Sequence, residues 1–194
     1  MTDLINLACT QYFVSTDVKD ILYSAIAKIG RDKIRMAVIN EIEMSERLCI
    51  EIIEECKKKM TNNLDDETFA DLCEALLHFL LTASLLPSER KVTWKGAELD
   101  LVIPSLKMLN KSPDKTLVIQ IIKGNEVLTK IKDAKSVQPH AVNIWTVSAK
   151  RLETEDHKNY YVGSSLFPYQ RIIIDINAFL VHKGDRGLKL LHGE

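Results

Sequence analysis

Long apolar runs are missing from this chain. No stretch approaches the roughly 20 consecutive apolar residues that a membrane span needs, so a membrane protein is not expected. Glycine and proline are sparse, at 7 and 5 in 194 residues, which excludes collagen-like and low-complexity repeats. The four cysteines (Cys9, Cys49, Cys56, Cys73) form no C-x-x-C pair and have no histidine at zinc-finger spacing. Neither a disulfide framework nor a structural zinc is indicated, and their apolar helical surroundings read as small core residues. His78, His140, His157, His182 and His192 show no H-E-x-x-H spacing, and there is no P-loop and no G-x-G-x-x-G. The opening Met1, Thr2 and Asp3 lack the basic and apolar pattern of a secretory leader, so a cytoplasmic location is the expectation.

What is present is the composition of a globular protein: 46% hydrophobic and 27% charged residues. The length suits one domain, or a core domain with a helical extension. The formal net charge of -1 conceals an asymmetry. Residues 1 to 86 carry 9 Lys/Arg against 15 Asp/Glu, and residues 87 to 194 carry 17 against 12. A mild basic excess in the second half permits a polyanionic partner but falls short of the footprint of a dedicated nucleic-acid binder.

Helical periodicity dominates the first half. From Asp17 to Ile29 the residues Val18, Ile21, Leu22, Ala25, Ile26 and Ile29 share a face, with Ser15, Thr16 and Asp17 as candidate caps and Gly30 as the stop. Further helices are read at Arg31 to Asn40, Ser45 to Lys59 and Asp66 to Ser84, the last opened by acidic residues and closed by Pro87. Beyond Pro87 the pattern changes to short runs rich in Val, Ile and Leu at Leu99 to Ile103, Leu117 to Ile122, Val142 to Val147 and Arg171 to Ile176. These read as buried strands, with a crossover helix from Glu126 to Val137 implying a parallel pair. Arg151 to Pro168 reads as a long loop, and a short helix is possible from Asn177 before Gly184 and Gly187. The expected division is a helical extension over 1–64 packed on an α/β core over 65–194.

Within Gly96-Ala97-Glu98-Leu99-Asp100-Leu101-Val102-Ile103, one carboxylate lies inside an apolar strand and requires a compensating partner. Lys123 follows at the end of Leu117-Val118-Ile119-Gln120-Ile121-Ile122-Lys123. This succession resembles the PD-(D/E)XK superfamily, the restriction-endonuclease-like nucleases, over roughly Asp66 to Val147, with Arg171 to Ile176 as an added strand. The resemblance implies an α-β-β-β-α-β core with a mixed sheet. It assigns Asp100 as metal ligand and catalytic residue, Lys123 as the catalytic lysine, and Glu74 as the carboxylate contributed by the preceding helix. Gln120 and Glu98 are second-tier candidates. The family's Glu falls on Ile121, which cannot coordinate a metal, and Gln120, one step along the strand, points to the other face. Mg²⁺ or Mn²⁺ is implied if the site is active, since hard cations take oxygen ligands.

The resulting expectation is a divergent, DNA-related nuclease-like protein with weak or lost metal-dependent phosphodiesterase activity. The alternatives are a non-catalytic interaction or scaffolding module on the same fold, and an unrelated α/β small-molecule-binding domain. DNA is one candidate partner; a protein partner or a homodimer through the helical half is another. Lys130, Lys132 and Lys135 would line a phosphate-tracking surface if the crossover helix borders the cleft, though exposed helical lysines more often serve solubility. Asp100 and Lys123 are expected to face one cleft.

Overall fold

The structure, a computed structural model, describes residues 18–60, 65–152 and 157–183. The proposed caps Ser15, Thr16 and Asp17, together with Cys9, Gly184, Gly187 and His192, lie outside these residues. Four helices come first: α1 (Val18–Ile29), α2 (Arg31–Asn40), α3 (Met44–Lys59) and α4 (Asp66–Ala83). Gly30, at φ 101°, takes the left-handed turn that separates α1 from α2. The N-terminus of α4 is capped by Asp65, whose carboxylate accepts the Thr68 N–H at 2.7 Å.

Five strands follow, β1 (Glu89–Trp94), β2 (Ala97–Ile103), β3 (Leu117–Ile122), β4 (Ile144–Ser148) and β5 (Lys158–Tyr160), and they lie in the order β1-β2-β3-β4-β5. The first three are antiparallel; β3–β4 and β4–β5 are parallel. Interspersed are α5 (Leu106–Lys111) after β2, α6 (Val127–Val137) between β3 and β4, and the closing helix α7 (Ile172–His182). The β1–β2 hairpin turns on Lys95 and Gly96, both at positive φ, as a two-residue hairpin loop requires.

The sheet is covered on both faces. Leu117, Ile119 and Ile121 of β3 and Trp145 and Val147 of β4 join a core with α1, α3, α4 and α7. Val118, Ile144, Leu109 of α5 and Ala134 of α6 form a second core on the other face. Within β2, Ala97 and Leu99 belong to the α6 side, whereas Leu101 and Ile103 belong to the α4 side. The pleat therefore shifts across Asp100. Both ladders also skip this residue: neither Lys91 of β1 nor Gln120 of β3 pairs with it.

Three sequence expectations need correction. Arg171 to Ile176 is not a strand: Arg171 ends a short 3-10 turn and the isoleucines begin α7. Ile172, Ile173, Ile176 and Leu180 are buried at helical spacing, and burial outweighs the few tenths of a kcal/mol by which β-branched residues disfavour a helix. The loop read from Arg151 to Pro168 contains β5, and Val142 lies in a 3-10 turn before β4. Strand β1 has no hydrophobic run to announce it, because edge position leaves Arg90 and Lys91 outward. If α7 packs as a helix, Ile173→Ala should lower the unfolding free energy by about 2–5 kcal/mol in urea titrations. Val181→Ala, on its exposed side, should change it by less than about 0.5 kcal/mol; equal effects at the two positions would contradict the packing.

Candidate functional site

Asp100 sits where the sheet opens, and its carboxylate is consumed locally. One oxygen accepts the Ile121 N–H at 2.8 Å, and Lys130 Nζ from α6 lies 2.8 and 2.9 Å from the two oxygens. Both side chains are largely buried, at 13% and 19% exposure, so the pair is screened far less than a surface ion pair. Gln120 completes the arrangement from the same side. Its Oε1 accepts the Asp100 N–H, and its Nε2 donates to the carbonyls of Glu98 and Lys130, each at 3.0 Å. Glu98 is exposed, and its N–H reaches Asp133 of α6 at 3.5 Å.

Lys123 points the other way, toward α4. Its Nζ bonds Asp71 at 2.5 Å and Glu74 at 2.7 Å, and the second oxygen of Glu74 receives Lys91 Nζ at 2.8 Å. Lys91 holds a left-handed backbone, φ 49°, in the middle of a strand, which for a non-glycine residue carries a cost that the surrounding structure must offset. These groups line a cleft of about 650 Å³ between α1, α4 and β1, together with His78 and Arg90. Burial pushes the Glu74 carboxyl up, but the bonds from Lys123 and then Lys91 outweigh it and hold it at about 2. Burial first, then the Arg90 cation, push the His78 imidazole down to about 4, so it is neutral at physiological pH.

The structure thus brings Glu74 and Lys123 together and leaves Asp100 with a different cation. The common cleft expected for Asp100 and Lys123 is not formed: they address helices on opposite faces of the sheet. Gln120 does turn to the face opposite Ile121, which is 1% exposed in the core. Asp71 and His78 share the polar stripe of α4 with Glu74, a helical spacing visible in the sequence. Lys91, Arg90 and the ion-pairing role of Lys130 are the residues sequence reasoning missed.

No family model and no curated protein matches the sequence. Solved structures do. The chain aligns with the restriction endonuclease PspGI–substrate DNA complex at a TM-score of 0.59 and 12% identity, covering 87% of this chain and 94% of that one. It also aligns with metal-depleted Ecl18kI in complex with uncleaved, modified DNA, at a TM-score of 0.56 and 8% identity over 84% of this chain and 78% of that one. The fold is restriction-endonuclease-like.

A restriction-endonuclease-like fold implies a divalent cation beside Asp100, and the donor set around this residue does not fit one. Lys130 already contacts both Asp100 oxygens, and Gln120 spends its amide on backbone groups. Ile121 offers no ligand, and Glu74 lies on the other face with two lysines. Among the described residues, no three His, Cys, Asp or Glu side chains converge as metal ligands. Mg²⁺, which surrenders its water reluctantly, needs more anionic oxygen than this.

The cleft makes a prediction about acid stability. Folded His78 and Glu74 both hold protons less readily than in the unfolded chain, so each contributes stability that falls as the pH drops. For His78 the loss runs from 6.5 toward 4, and for Glu74 from 4.5 toward 2. Urea midpoints measured from pH 7.5 downward should decline in two stages, with His78→Gln flattening the first and Glu74→Gln the second. An unchanged profile in both variants would contradict these assignments.

Proposed function

We propose that this chain is a DNA-related protein of the nuclease-like fold in which metal-dependent phosphodiester cleavage is weak or lost. The observation that carries the reading is the Lys130 ammonium on both oxygens of Asp100. An ammonium neutralises the carboxylate but has no empty orbital with which to polarise a phosphoryl oxygen and cannot lower the pKa of a bound water as a divalent ion does. Lys123, the lysine that would orient or activate a nucleophile, is tied to two carboxylates and stays protonated. It is thereby a poor general base. The DNA-related part is supported by the fold shared with structures of DNA-bound endonucleases and by the positive balance of residues 87–194.

The test is cleavage of plasmid and oligonucleotide DNA with Mg²⁺ or Mn²⁺, alongside calorimetric titration of Mn²⁺. The wild-type protein should cleave at or near background and bind Mn²⁺ weakly. Lys130→Ala leaves Asp100 charged and half-paired, so it should cost about 2–3 kcal/mol of stability and tighten Mn²⁺ binding relative to wild type. Robust cleavage by the unmodified protein, abolished by Asp100→Ala, would overturn the proposal. Failure to retain any DNA in a gel-shift assay would remove its DNA-related part.

A further inference from the structure

Cations outnumber carboxylates in the cleft between α1, α4 and β1. Lys19, Arg31, Arg90, Lys91 and Lys123 line it, against Asp71 and Glu74. Lys91 and Lys123 already neutralise those two carboxylates. Arg31 and Arg90 meet no carboxylate among the described residues. Two guanidinium groups facing one cleft with no carboxylate partner among the described residues offer planar donor forks that match phosphate oxygens. Uncharged groups complete the lining, among them two aromatic rings. Tyr23 stands 52% exposed at the rim, and Phe79 contributes a second aromatic ring. His78 adds a neutral imidazole whose Nε2 is buried with no hydrogen-bond partner among the described residues. The volume, about 650 Å³, lies within the range of small-ligand sites.

We infer that this cleft binds a nucleoside phosphate, with Arg31 and Arg90 on the phosphate and Tyr23 and Phe79 against the base. Phosphate affinity comes from charge and the guanidinium forks, whereas an aromatic face accepts any base, so base selectivity is weak. Lys91 lines the same wall, where its Nζ is bonded to Glu74. The same chemistry could be presented by a free nucleotide or by the terminal nucleotide of a single strand. The inference does not depend on metal or cleavage.

Metal-free calorimetry with ATP, AMP, inorganic pyrophosphate and a short 5′-phosphorylated single-stranded oligonucleotide tests it, in low salt. ATP should bind more tightly than AMP, and the combined Arg31→Ala and Arg90→Ala protein should bind ATP at least tenfold more weakly. Tyr23→Ala should weaken the nucleotides but leave pyrophosphate unchanged, and Lys107→Ala on α5, across the sheet, should alter nothing. If the oligonucleotide binds, free nucleotides do not, and the double arginine variant loses that binding, the source is the strand terminus and the site stands. No binding of any probe at millimolar concentration overturns the inference, as does binding unaffected by the arginine substitutions in a protein that melts like wild type. Because no cleavage is read, failure here is distinct from failure of the nuclease-fold proposal.

Discussion

β3 is buried along all six of its residues, between helices on both faces of the sheet. Its apolar side chains meet that condition without cost, and Gln120 does not. A buried amide left unpaired would cost about 1–3 kcal/mol, so Gln120 must place its polar atoms. It does so on the backbone of β2 and of α6. That bracket holds α6 against the sheet at the level where β2 and β3 stop pairing, and it is what brings Lys130 over Asp100. The Asp100 carboxylate in turn takes the Ile121 N–H, a donor that the interrupted ladder leaves open. The opening in the sheet, the seat of α6 and the identity of the cation beside Asp100 are therefore one connected set of compensations.

The other face obeys a similar logic at lower burial. α4 turns Leu72, Cys73, Leu76, Leu77 and Leu80 into the core, and its neighbouring stripe of Asp71, Glu74 and His78 meets the end of β3 and the middle of β1. Glu74 is nearly enclosed, at 7% exposure, and a carboxylate there is tolerated because two ammonium groups reach it. Tyr169 ties the C-terminal segment to the same helix by donating its hydroxyl to the Cys73 carbonyl. Burial raises the thiols of Cys73 and Cys49, so these cysteines act as packing groups rather than nucleophiles.

Nuclease chemistry on this fold asks for a cluster of negative charge that only a divalent ion can quiet. Here the two carboxylates first in line for that role are each matched to lysine: Asp100 to Lys130, and Glu74 to Lys91 and Lys123. The described lining of the cleft between α1, α4 and β1 holds more cationic than anionic side chains.

Helices α1, α3, α4 and α6 were legible in the sequence because an apolar stripe of period 3.6 needs no knowledge of what covers it. Strands β2, β3 and β4 were legible within about two residues for the related reason that a strand buried on both faces is apolar throughout. Strand β1 was not, since an edge strand alternates with charge and its Lys95-Gly96 turn is a weaker hairpin signal than Asn-Gly. The Ile172–Ile176 run was ambiguous because β-branched residues serve either element until the face they bury is known. For the site, the sequence by itself determined the residue types, namely a carboxylate within a strand that must find a partner, a lysine at the end of the next, and an acidic stripe on α4. Which partner each one meets was decided only by the tertiary structure. Ion pairing depends on distance and exclusion of water, and Lys130 and Lys91, 30 residues after Asp100 and 17 after Glu74, carry no mark in the sequence of the carboxylate they will reach.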